Sequence, residues 1–260
     1  MKPTTNSRAL PTALALMTLA AAGCGEEAGP PVLLPPVLGP TSFIDPDIIV
    51  STDPTALTSL VANGQGSRTM YDGRTGAGVT VDAWLFDAGY DDGLQVEVQV
   101  NPEFGDSLAA VLAAKYSEAF GRLPNVIRDG VEMLWIHDGV ADIGSDDDAI
   151  WLHVGQVDQY EADGFLEESL VPAAVRATIQ SAHGASAGWL EAQAIDNRFI
   201  AQIAEDNPDT EDVAQSFLPY FTVVHRSSRV TNFLAATIVN AIPARLNYFD
   251  DQAFDMHPLD

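Results

Sequence analysis

The side chains best suited to chemistry in this chain are its five histidines, and their surroundings decide what each can do. His183 closes an alanine-rich run, LVPAAVRATIQSAHGASAGW over 170–189, that follows two acids, Glu167 and Glu168. Near neutral pH an imidazole is a metal ligand or a base, so His183 is a weak candidate for metal. Ser181, Ser186 and Ser216 lie near His183 or Gln215, a proximity that chance often supplies. His137 and His153 fall on two predicted strands and can face each other. Two imidazoles without a third ligand make cross-strand packing the default. His225 follows an apolar run and suits a helix C-terminus, where a donor meets free carbonyls. His257 is in the tail. Asp87, Asp91, Asp92 and Asp146 to Asp148 offer oxygen to calcium, but they lack EF-hand spacing and read as solvated turns. No phosphate-loop or dinucleotide fingerprint is present.

The rest of the chain supplies the frame for these groups. With 260 residues, 47% hydrophobic and 19% charged, the composition is that of a globular protein. Twelve basic residues against 37 acidic ones give a formal charge of −25. Such a field disfavours nucleic acid and anionic lipid as charge-driven partners. Cys24 is the one cysteine, which excludes an internal disulfide. It follows Lys2, Arg8 and the apolar run ALPTALALMTLAAAG, which is too short for a good membrane span. A positive start, an apolar middle and small residues before the cut make a secretory signal. Small residues directly before a cysteine resemble the lipobox of bacterial lipoproteins, in which that cysteine becomes the lipid-modified N-terminus. Residues 1–23 are therefore expected to be a lipoprotein signal peptide and Cys24 to be lipidated. The protein is then exported to the cell envelope, with the membrane as a partner through the anchor.

Residues 24–54 are dense in Pro and Gly and are expected to form an extended tether ahead of a single domain over 55–260. Residues 79–86 and 94–100 predict a hairpin around the turn cluster 87–93, with Val96, Val98 and Val100 on one face. A helix follows from Asp106 to Arg122, with Leu108, Val111, Leu112, Tyr116 and Phe120 as its stripe. Residues 131–137 and 149–154 are two more candidate strands, and 144–148 a surface turn between them. The second half reads as helical. One helix runs from Asp163-Gly164 toward His183. The next spans 189–206, with Trp189, Ala192, Ile195, Phe199 and Ile203 along one side. A third opens at Asn207-Pro208, with Asn207 as its N-cap. Two short helices follow over 228–241 and 244–252. The expected class is α+β: a mostly antiparallel N-terminal sheet with one helix, then a helical half.

Several stretches resemble one uncharacterised family of exported, often lipid-anchored bacterial proteins with a zincin-like H-E-x-x-H motif. They are SRTMYDGR (67–74), TVDAWLFDAGYDDGLQVEVQVNPEFG (80–105), YEADGFLEE (160–168), SAGWLEAQAIDNRFIAQIAEDNP (186–208), EDVAQSFLPY (211–220) and ARLNYFDDQAFDM (244–256). The resemblance covers most of residues 65–257. It implies a zincin-like fold and a zinc peptidase site, in which two histidines four residues apart on a helix hold Zn²⁺ and the adjacent Glu acts as base.

This chain departs from that motif at each position. By the same resemblance, the first His is Pro172, the Glu is Ala173 and the second His is Arg176. A further acid, a candidate third ligand in the family, is Gln215. Pro172 and Ala173 can neither ligate nor accept a proton, and Arg176 brings a fixed positive charge to the place of the metal. Gln215 is placed to hydrogen-bond Arg176. Pro172 also removes a backbone bond to Glu168, so a kink or helix start is expected there. The implied protein is a pseudo-metallopeptidase, without zinc or another cofactor, that binds a protein or peptide in the residual cleft. The alternative is an active metal-dependent hydrolase built around His183.

Overall fold

A computed structural model describes residues 33–259. The expected signal peptide over 1–23, and Cys24 with it, lie outside the described residues. Alternating apolar residues build the first part of the sheet. β2 (Ala77–Tyr90) and β3 (Gln95–Val100) form the expected hairpin, with Trp84 opposite Val100 and Gly89 opposite Gln95. β1 (Leu57–Asp72) extends it along a long antiparallel edge, from Leu57 opposite Tyr90 to Asp72 opposite Ala77. The sequence does not announce β1, because most of its side chains are polar or small and exposed, as an edge strand allows. Its register slips between Ala62 and Gln65, where Gly64 takes a φ of 74°.

The sheet is mixed, which corrects the mostly antiparallel expectation. After β3 the chain crosses back through α1 (Asp106–Gly121) and α2 (Asn125–Arg128), so β4 (Met133–His137) lies parallel to β3. β6 (Ala149–His153) is parallel to β4, and the two-residue β5 (Gly144–Ser145) closes the edge antiparallel. The strand order is β1-β2-β3-β4-β6-β5. MLWIH and AIWLH are almost wholly buried apolar runs, as central parallel strands are. Periodicity alone does not give their direction. In α1 the buried side chains include Leu112, Tyr116 and Phe120 of the predicted stripe, whereas Leu108 and Val111 face solvent.

The helical half begins earlier than expected, with α3 (Val154–Ala162) directly after β6. α4 (Leu166–Ala177) passes through Pro172 without a break, so neither a start nor an end falls there. The helix expected to reach His183 stops at Ala177, and α5 (Gln180–His183) is a separate turn. α6 (Ala187–Asp196) ends on Asn197, whose left-handed backbone (φ 47°) reverses the chain. Ile195 is therefore left 67% exposed, and α7 (Gln202–Asp206) starts anew. α8 (Pro208–His225) opens where predicted, but Asn207 does not cap it; its amide donates to the Ile203 carbonyl at 3.2 Å. α9 (Asn232–Ala241) and α10 (Pro243–Asp251) complete the fold. One buried cluster joins the halves, with Val98, Ile136 and Leu152 of the sheet and Phe120, Trp189, Phe217 and Phe249 of the helices.

Residues 33–54 correct the tether boundary. Ser42, Ile48 and Ile49 are 0–1% exposed. The Leu34 and Leu38 amides donate to the Asn197 and Ile200 carbonyls, each at 3.0 Å. The described part of this stretch is thus packed on the helical half. Prolines suppress helix and strand, and that reads as spacer composition, but they do not prevent an extended chain from docking.

Candidate functional site

α4 and α8 lie side by side, and the cleft between them holds three of the four positions that the resemblance singled out. Pro172 and Arg176, four residues apart on α4, and Gln215 on α8 line one cavity of about 180 Å³ with Phe43, Tyr160 and Ser169. Ala173 is fully buried and belongs to the core. The expected bond between Arg176 and Gln215 is replaced by a shared partner. Arg176 Nη1 donates to Glu211 Oε2 at 2.8 Å, and Gln215 Nε2 donates to the same oxygen at 3.1 Å. Glu211 precedes Gln215 by one helical turn, and a carboxylate is a stronger acceptor for a guanidinium than an amide is. That spacing is the signal by which the sequence could have revealed Glu211. Gln215 Oε1 accepts from Ser42 N and Oγ, at 3.0 and 3.1 Å.

These residues do not fit a zinc ion. Pro172 and Ala173 have no side-chain donor atoms, and Arg176 is a cation paired with Glu211. Both ends of the Gln215 amide are engaged. Among the described residues no group of three His, Cys, Asp or Glu is arranged to hold a metal.

The other candidates divide between packing and surface. His183 Nδ1 meets the Tyr248 hydroxyl at 2.7 Å, and burial pushes the imidazole below its ordinary pKa. Ser186 Oγ meets the same hydroxyl at 3.0 Å. Gly184-Ala185-Ser186-Ala187-Gly188 has the spacing of a nucleophile elbow, but that elbow joins a strand to a helix under backbone strain. Here a helical turn precedes it, Ser186 is relaxed (φ −70°, ψ 145°), and its oxygen caps α6 by accepting from Trp189 N. Ser181 is exposed and Ser216 fully buried. The Asp91-Asp92 turn is tied down by protein side chains: Asp92 accepts from Arg128 at 2.6 Å and Asp91 lies 2.9 Å from His257.

His137 and His153 do face each other, in register and with their rings stacked 5.2 Å apart. They end β4 and β6, where parallel sheets commonly place ligands. Both are fully buried in a polar knot. Asp72 lies 3.0 Å from His153 Nε2, and Asn101 3.1 Å from His137 Nδ1. Arg74 clamps Asp72 and Glu103 together and holds the Asp72 carboxyl below the usual carboxylate range. Burial, then the neighbouring His153, pushes His137 down to about 4, so it is neutral at pH 7. One turn before Pro172 on α4, Glu168 is fully buried and accepts from Ile49 N at 2.9 Å; burial pushes it up to about 7. Glu167 pairs with Arg122 at 3.0 Å. No family model, curated protein or solved structure matches this chain.

Proposed function

We propose that this protein is an exported, lipid-anchored component of the bacterial envelope whose domain is a zincin-like scaffold that no longer binds zinc. In this reading it acts by binding a protein or peptide, and the anchor is Cys24. One observation carries the reading. Pro172, Arg176 and Gln215, singled out only by resemblance and 43 residues apart at the extremes, line one cavity between two adjacent helices. A zinc peptidase needs two helix positions four apart and a third from elsewhere in that arrangement. The arginine-carboxylate pair fills the place of the metal and its base with a neutralised charge. A catalytic role for His183 draws no comparable support, since its Nδ1 is held by Tyr248 and burial, not a neighbouring carboxylate, displaces its pKa.

The test is the metal content of the purified full chain after equilibration with zinc. Less than a tenth of an equivalent is expected, with no chelator-sensitive cleavage of casein. One zinc per chain overturns the reading.

A further inference from the structure

The cleft between α4 and α8 already holds a polypeptide. Residues 34–44 cross the helical half as a strap without regular structure that contains Pro35, Pro36 and Pro40. The strap forms no helix or named strand. Its backbone bonds go to the 197–203 connection. Leu34 N and Leu38 N donate to the Asn197 and Ile200 carbonyls, and Gly39 O and Pro40 O accept from Gln202 N and Ile203 N at 3.3 and 3.2 Å. At the cleft, Ser42 gives both its amide and its hydroxyl to Gln215, and Phe43 packs on Tyr160 and Phe165 at 5.4 and 5.6 Å. A proline-rich segment is pre-extended and has few donors to satisfy, so it docks in aromatic-lined grooves at low entropic cost.

The strap ends at a turn, where Asp47 N donates to the Gly164 carbonyl at 3.0 Å and Asp45 Oδ2 accepts from Thr231 N at 3.2 Å. Asp47 has a positive φ of 66° and follows Pro46. Beyond it Ile48 and Ile49 are buried in the core, and Asp53 pairs with Arg229. The two parts differ in kind. Ile48 and Ile49 are core residues, whereas within 34–44 only Ser42 is fully buried, Val37, Leu38 and Ile44 pack on the core edge, and Leu34, Pro35, Gly39 and Pro40 are exposed.

We propose that the groove formed by α4, α8 and residues 197–203 is a recognition site for a proline-rich extended peptide, and that residues 34–44 are its resident ligand. The inference rests on the reading of the cleft as a binding site. A proline-rich segment of another polypeptide, with a small hydroxyl residue followed by an aromatic, is the class of ligand that replaces the strap. Replacement requires the strap to swing out about Asp45–Asp47 while Ile48 and Ile49 stay in place.

Two measurements on the full chain test this. In hydrogen exchange of the wild-type protein, the Leu38 and Ser42 amides are expected to exchange at least tenfold faster than the Ile49 amide, through local opening. Equal rates, both set by global unfolding, overturn the proposal. In the second, a fluorescent peptide of residues 33–45 is titrated into the wild type and into the Ser42→Ala/Phe43→Ala chain. At least tenfold tighter binding to the variant is expected, and a peptide carrying the same two alanines should bind neither. Equal binding to both chains, or none to a folded variant, overturns the proposal; if the variant does not fold, the exchange measurement decides. Stoichiometric zinc would sink the proposed function and leave both of these outcomes unchanged.

Discussion

Glu168 and His137 are buried groups displaced in opposite directions, and together they make a specific pH prediction. Glu168 sits at about 7 against an unfolded value of 4.5, so its contribution to stability is full below 4.5 and is lost as pH rises through 7. His137 sits at about 4 against 6.5, so its contribution is full above 6.5 and is lost as pH falls toward 4. Between these limits the folded chain carries a proton on Glu168 and none on His137, and the unfolded chain does the reverse. The two slopes cancel. Relative to wild type, Glu168→Gln should make stability rise with pH between roughly 4.5 and 6.5, by up to about 1.4 kcal/mol per pH unit. His137→Asn should make it fall over the same range. Denaturant titrations at several pH values check both signs; the same slope in the two variants refutes the account. His137 was legible as a strand residue packed against His153, whereas the burial of Glu168 was not legible. Glu168 was visible only as one of two acids before a helix, and the partner that covers it, Ile49, lies 119 residues away.

At the scale of elements, what the sequence disclosed depends on how local the cause is. The β2-β3 hairpin, α1 and the start of α8 were readable, because turn residues, helical spacing and Pro208 in the first helical turn act within a few residues. The parallel placement of β4 and β6 was not, because a continuous apolar strand looks the same in either direction. The break between α6 and α7 hung on one residue, Asn197, taking a left-handed conformation. The strap does not follow the tether expectation because proline content is shared by free linkers and by docked irregular chain. α6, α8 and α10 are tied by an arginine that no local pattern reveals. Arg245, fully buried, donates to Asp212 at 2.9 Å and Asp196 at 3.0 Å, and lies over the Trp189 and Phe199 rings. Removing it strands two buried carboxylates, so Arg245→Ala should cost on the order of 3 to 5 kcal/mol. Arg68→Ala, which breaks a partly exposed pair with Glu97, should cost within about 1 kcal/mol. Thermal unfolding of the two variants checks the contrast, and similar losses would contradict it.

At the scale of the whole molecule, the reading joins an anchor to a cleft. The anchor depends on Cys24 and the signal before it. Cys24→Ala should move the protein from the detergent-extracted membrane fraction to the soluble fraction of cells that process lipoproteins, and unchanged fractionation would remove the anchor from the account. The cleft is where resemblance and geometry meet. Resemblance pointed to Pro172, Ala173, Arg176 and Gln215, and the fold put three of them around one cavity and Ala173 in the core. Glu211 and Ser42, which complete the polar contacts there, became visible only with the fold. The most direct measurement is a paired zinc titration of the wild-type chain and the Pro172→His/Arg176→His/Gln215→Glu variant, read as bound metal per chain. The account predicts none for the wild type and one for the variant, since the three positions face a common space. One zinc on the wild type would contradict the lost site, and none on a folded variant would contradict the shared scaffold.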